Sequence, residues 1–161
     1  MPSIRQAHSN EFSSIWPLFQ AVIKTGDSHV FPIDMSESDA EHYWMNPAHK
    51  VFVAENDEQL VATYILKANH LGLGSHIANA SFMVDPMHHG KGIGSAIGSH
   101  CIQTAKELGF KGIQYNIVIS TNHAAVALWK KLGFQIIGTT PKGFKHLSLG
   151  YVDTYIMYRE L

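Results

Sequence analysis

Three glycines at alternate positions, 90, 92 and 94, separate an apolar run that ends at Val84 from an amphipathic run that continues to about residue 108. The segment reads Val84-Asp85-Pro86-Met87-His88-His89-Gly90-Lys91-Gly92-Ile93-Gly94-Ser95. Asp85-Pro86 stops a strand, and Ile93, Ala96, Ile97 and Ile102 recur at helical spacing. The chain therefore turns from strand into helix through a stretch with little side-chain bulk. Backbone N–H groups can converge in such a turn, and the helix N-terminus adds the positive end of its dipole. A phosphate group suits that arrangement. The plainer alternative is a tight turn with no ligand. Neither familiar phosphate motif fits. A P-loop needs Ser or Thr after its lysine, and Lys91 is followed by Gly92. A G-x-G-x-x-G pattern begun at Gly90 ends on Ser95, and one begun at Gly92 ends on Ile97.

Strands and helices alternate around this turn. Residues 3–7 read as a short strand. Phe12, Ile15, Trp16, Phe19 and Ile23 then fit one helix face, with Ser9 or Asn10 placed to cap it. Pro17 lies inside that pattern, so the helix kinks there or starts later, near Ser14. Ser36-Glu37-Ser38-Asp39 resembles a capping box and opens a short helix to about Met45. Strands are expected at 51–55 and 60–67, joined by the polar turn Asn56-Asp57-Glu58-Gln59. A strand at 76–84 enters the glycine turn, a helix at 92–108 leaves it, and an apolar strand at 113–119 follows. Asn122 caps a helix at 123–132 that ends on Gly133. A strand at 134–138, a loop at 139–150 with Pro141, Gly143 and Gly150, and a strand at 151–158 complete the order. The pattern mixes hairpins with one β-α-β-α-β stretch. It predicts an α/β (mixed α+β) fold, with a mixed, mostly antiparallel sheet of about seven strands flanked by about four helices. No repeat or linker interrupts it, so residues 1–161 read as a single domain.

Composition removes several function classes. Hydrophobic residues make up 45% of the 161 and charged residues 16%, which is ordinary for a globular domain. Twelve Lys+Arg against 13 Asp+Glu leave a net charge of −1, without the basic excess of a nucleic-acid binder. The single cysteine, Cys101, permits no internal disulfide and fits a reducing compartment. No apolar run approaches the roughly 18 residues of a membrane span, and Met1-Pro2-Ser3-Ile4-Arg5 lacks the apolar region of a signal peptide. A cytoplasmic protein is expected. The 11 histidines are scattered, with no H-E-x-x-H and no Cys/His cluster, so no metal site is expected.

Further motifs follow the glycine turn in order. His89-Gly90-Lys91-Gly92-Ile93-Gly94 resembles the acyl-CoA loop of the GNAT acetyltransferase superfamily, Q/R-x-x-G-x-G/A. Asn122-His123-Ala124-Ala125, Trp129 and Leu132-Gly133-Phe134 resemble its N-x-x-A…GF signature, and residues 155–161 resemble its closing strand. The resemblance implies the acyl-CoA N-acyltransferase fold, acetyl-CoA as cosubstrate, and two parallel strands, 76–84 and 113–119, splayed to admit the pantetheine arm. It implies that backbone groups of Met83 and Val84 bind pantetheine and polarise the thioester carbonyl. Amides from Gly90 through Lys91, Gly92, Ile93 and Gly94 to Ser95 would hold the pyrophosphate, and Asn122 would contact the pantetheine or phosphate region. Two positions depart from the pattern. His89 replaces Gln or Arg, which the loop tolerates because its contribution is mainly backbone. Trp129 replaces the usual Tyr, a proposed acid for the CoA thiolate, so that role passes to water or another residue, or no acid is needed.

Three strings narrow the resemblance: Ser75-His76-Ile77-Ala78-Asn79-Ala80-Ser81-Phe82, Tyr115-Asn116-Ile117-Val118 and Thr121-Asn122. They are similar to fungal N-acetyltransferases that detoxify proline analogues such as azetidine-2-carboxylate. Asn79 and Asn116 match that subgroup's substrate-contacting asparagines. Each is a lone amide in an apolar strand, where a buried amide needs partners. It serves either an acceptor substrate or backbone groups at the sheet opening. The expected reaction is direct attack by a primary or secondary amine of a small molecule on acetyl-CoA, in a ternary complex. His76, Tyr64 and His29 are candidate bases, and a covalent route through Cys101 is disfavoured. Trp16, Phe31, Tyr43 and Trp44 could wall the acceptor pocket, and Lys91 could contact a phosphate. A peptide or lysine acetyltransferase and a non-catalytic acyl-CoA sensor are the competing readings. Homodimers are common in the superfamily, and no residue here decides the matter.

Overall fold

The computed structural model describes all residues, 1–161. The strands are β1 (Ser3–Gln6), β2 (Lys50–Asn56), β3 (Gln59–Ala68), β4 (Ile77–Val84), β5 (Gly112–Ile119), β6 (Gln135–His146) and β7 (Gly150–Glu160). The helices are α1 (Phe12–Lys24), α2 (Glu37–Trp44), α3 (Ile93–Glu107) and α4 (His123–Lys131). One seven-stranded sheet runs β1-β2-β3-β4-β5-β7-β6. Every pairing is antiparallel except β4 with β5.

Helices cover both sheet faces. Apolar side chains of α1 and α2 pack with Val51, Val53, Ile65 and Met83 on one face. Ile93, Ile97, Cys101 and Ala105 of α3 pack with Tyr64, Ala78, Ala80 and Ile113 on the other. Strand alternation explains this, because neighbouring residues of one strand point to opposite faces. Ser36 caps α2 as expected, accepting a hydrogen bond from the Asp39 N–H at 3.1 Å. Asp57 and Glu58 both adopt positive φ, 48° and 63°, in the β2–β3 hairpin. Two such residues give the primed turn that matches strand twist.

Three expectations are corrected. Helix α1 starts at Phe12 and runs through Pro17. Pro17 and Ser13, whose carbonyl loses its partner, are both exposed, so water can take that carbonyl. The residue before the helix is Glu11, not Ser9 or Asn10. Its carboxylate accepts from the His8 N–H and the Arg5 guanidinium, and that guanidinium holds it below the usual carboxylate range. The segment expected as a loop, 139–150, mostly continues β6 to His146. Pro141 and Gly143 fall in a register shift between Thr140 and Phe144, and β6 is an edge strand, where a missing N–H and a bulge are tolerated.

Candidate active site

The sheet opens between its two parallel strands. β4 and β5 pair only at Ile77–Gly112 and Ala78–Ile113. Beyond that point β5 follows β7 and bulges between Tyr115 and Val118. Asn79 is the first residue past the last pair, and its Nδ2 donates to the Gln114 carbonyl at 2.8 Å. A side chain thus closes the gap where the backbone ladder stops.

Backbone direction along β4 shows what faces the opening. The Ile77 carbonyl accepts from Asn69 and the Asp85 N–H donates to Val61, both toward β3. Backbone groups of a strand alternate sides. Met83 therefore bonds toward β3, while Phe82 and Val84 present theirs to the split. Of the expected pair, Val84 therefore faces the split as expected, while Met83 does not and Phe82 stands in its place. Met83 contributes a fully buried side chain on the α1 side instead. The Phe82 carbonyl is already engaged: His29 Nε2–H donates to it at 2.8 Å. The Ser28 hydroxyl lies 2.9 Å from His29 Nδ1 and donates to it, since that nitrogen carries no proton in this tautomer. Burial pushes the His29 imidazole down to about 4, against the opposing pull of its Phe82 bond and of Asp27. His29 is thus a neutral strap tying the segment after α1 to the edge of β4 that faces the split.

Two cavities, of about 490 and 360 Å³, meet at this strap. They share Ser28, His29, Phe82, Asn122, Ala125 and Trp129. The first contains the glycine turn. Gly90 and Gly92 have φ of 77° and 79°, left-handed values that glycine adopts without steric penalty. A Cβ on either would meet nothing within 4 Å, so backbone conformation, not crowding, requires glycine there. Gly92 also precedes α3, with no side chain capping the helix. The first intrahelical bond is Ala96 N–H to the Gly92 carbonyl, at 3.1 Å. The amides of Ile93, Gly94 and Ser95 therefore start the helix without partners inside it. By contrast, Ser36 caps α2, and Asn122 Oδ1 accepts from Ala125 to cap α4. Val84, His89, Gly90, Gly92, Ile93, Gly94 and Asn122 line this cavity; Lys91 and Ser95 do not, and Lys91 is exposed.

Side chains from separate strands and helices build the second cavity. Asn79 and Asn116 both line it, from opposite lips of the split. Asn116 is exposed, unlike the buried amide expected, because the β5 bulge turns it outward. Its Nδ2 donates to Asn69 Oδ1 at 2.8 Å, and its Oδ1 accepts from Gln114 Nε2 at 3.1 Å. Phe31 and Tyr43 form part of the wall, with ring centres 5.2 Å apart. Trp129 lies at the bottom, 8% exposed, packed on Phe82, Tyr115 and Phe134.

Other candidates lie elsewhere. Trp44 is buried in the α1–α2 core, its Nε1–H donating to Thr63, and Trp16 packs beside Phe12 and Phe19. Tyr64 is buried under α3 with its hydroxyl 2.7 Å from His100 Nδ1, and burial raises its pKa. His76 is exposed ahead of β4. Cys101 is fully buried within α3, and burial pushes its thiol up, away from the reactive thiolate. Of the three candidate bases, only His29 reaches the cleft.

A model of the Acetyltransferase (GNAT) family matches residues 7–134. The chain belongs to that family. It is similar to N-acetyltransferase aca1 of Schizosaccharomyces pombe, 30% identical over 155 residues, covering 83% of this chain and 72% of that protein. A GCN5-related N-acetyltransferase from Kribbella flavida has the same fold with a TM-score of 0.93 and 34% identity, covering 99% of this chain and 98% of the other. A GNAT superfamily phosphinothricin acetyltransferase from Sinorhizobium meliloti, solved with acetyl-CoA, shares the fold at TM-score 0.85 and 20% identity, covering 99% and 88%. This GNAT chain is thus an acetyltransferase by family, with the family's sheet and split.

Sequence reasoning missed Lys67, Ser28 and Phe82, all of which line the second cavity. Lys67 had one signal in the sequence, a lone charge at the end of an apolar strand; its place opposite Asn79 comes from the structure. The strap had none, because nothing in Ser28-His29 indicates a partner 53 residues away.

Proposed function

We propose that this chain transfers the acetyl group of acetyl-CoA to a primary or secondary amine of a small molecule, by direct attack in a ternary complex. The observation that carries the reading is the meeting of the two cavities at the split, one built on the uncapped start of α3 and the other lined by amides. The residues present fit acetyl-CoA. Unpartnered amides at the start of α3 and the left-handed glycines suit a pyrophosphate, and β4 offers an unpaired backbone edge for an amide-bearing arm. Gly90, Gly92, Ile93, Gly94 and Asn122 would hold the donor, with the backbone of Val84 beside them. Acetyl-CoA supplies an electrophilic thioester carbonyl.

The chain's own part is placement. Asn79 and Asn116 orient the acceptor at the mouth of the split, and Phe31, Tyr43 and Trp129 limit water around it. The amine nitrogen forms the C–N bond, the C–S bond breaks, the ammonium proton leaves to water, and the thiolate takes a proton from water. No side chain in the cleft is poised as a base. His29 stays neutral, with both ring nitrogens engaged by Ser28 and Phe82. The rate should therefore rise with the acceptor's own deprotonation, without a histidine step near 6.5. A cleft base would produce that step.

The test is free-thiol release from acetyl-CoA against azetidine-2-carboxylate, proline analogues, ordinary amino acids, polyamines and short peptides. Turnover of small amines supports the reading. Turnover confined to peptides would make the chain a peptide N-acetyltransferase. Coenzyme A binding with no turnover of any amine would make it a sensor.

A further inference from the structure

We propose that Lys67 selects acceptors that carry a carboxylate, its ammonium being the one charged group in the acceptor cleft. This rests on reading the amide-lined cavity as the acceptor site.

Lys67 on β3 stands directly opposite Asn79 on β4, so the two side chains leave the same sheet face. Asn69, just past the end of β3, holds Asn116. Three strands therefore bring one ammonium and three carboxamides into a single patch. Lys67 Nζ lies 5.7 Å from the Tyr43 ring centre, a cation–π distance that leans the side chain toward α2. No Asp or Glu lines the cleft, and the three ion pairs of the molecule do not include Lys67. The neighbouring imidazoles add no charge. Burial, and then the Lys67 charge, lower His49, and burial keeps His29 neutral.

The cleft thus holds one positive charge and no counter-ion. A carboxylate would supply the counter-ion and accept charge-assisted hydrogen bonds. One N–H of the Asn79 amide remains after its bond to Gln114 and can donate to the same group. Acceptors with a second positive charge, such as polyamines or a lysine side chain, would meet Lys67 with no acid to hold them.

The test is calorimetric binding of proline and open-chain α-amino acids, each beside its own carboxamide, with and without coenzyme A. We expect each acid to bind at least about tenfold tighter than its carboxamide, or about 1.4 kcal/mol. Lys67→Gln should remove that preference and leave carboxamide binding in place, which also reports an intact cleft. Lys67→Arg should keep the preference. Equal binding of acid and carboxamide, no binding of any acid, or a preference that survives Lys67→Gln would overturn the proposal. Binding is read without turnover, so the two readings fail separately. Acids bound through Lys67 without thiol release would contradict acetyl transfer alone. Thiol release without an acid preference would contradict the role of Lys67 alone.

Discussion

The two sides of the split are built by different means. The glycine turn and the start of α3 form one continuous stretch, and what it presents to its cavity is backbone rather than side chain. The acceptor side draws side chains from the segment after α1 and from α2, β3, β4 and β5. A backbone-built site depends on conformation and should tolerate changes of side chain, His89 among them. A side-chain-built site can change specificity by single substitutions without altering the fold. Donor binding and acceptor choice should therefore separate under mutation.

Trp129 belongs to both sides and should break both at once. Trp129→Ala removes a buried ring packed on Phe82, Tyr115 and Phe134. We expect a loss of about 3–5 kcal/mol in denaturant unfolding, with donor and acceptor binding lost together. If either half survived intact, Trp129 would not be their common floor.

The strap should show in the pH dependence of stability. His29 titrates near 6.5 when unfolded and about 4 when folded, so between those values the unfolded chain holds more protons. Stability is full above pH 6.5 and falls as pH drops toward 4, by a contribution on the order of 3 kcal/mol. His29→Gln keeps an N–H donor and cannot titrate, so its thermal unfolding should fall less steeply over that window. An unchanged slope would remove His29 from the account.

Gly92→Ala should sharpen the donor side. A left-handed alanine costs about 1–2 kcal/mol and disturbs the amides that follow. Coenzyme A affinity should drop severalfold, while acid binding in the cleft holds. Acceptor binding that fell in step with coenzyme A would join what the comparison separates. On the other side, Asn79→Ala strands the Gln114 carbonyl at the split, a loss of about 1 kcal/mol, with a raised acceptor KM and unchanged coenzyme A affinity.

The same contrast explains what the sequence made legible. The glycine turn could be read because its chemistry is local: spacing, a strand before and a helix after. The order of elements was readable for the same reason, through the periodicity of runs such as 93–102. Long-range geometry was not. The resemblance implies Met83 and Val84, and only the observed pairing of β4 with β3 shows that Phe82 and Val84 face the split. Asn116 looked buried in an apolar strand until the bulge at Tyr115–Val118 turned it outward. The run at 139–150 looked like a loop because Pro141 and Gly143 are breakers in most settings, and edge position with a bulge removed that penalty.

Asn116→Ala gives the most direct test of the central claim. The side chain is exposed, so its removal should change stability by less than about 0.5 kcal/mol. The account predicts that this variant binds coenzyme A as the wild type does, while thiol release from acetyl-CoA with small amine acceptors falls at least tenfold. Unchanged thiol release, or a parallel loss of coenzyme A affinity, would contradict a donor site and an acceptor site divided at the split.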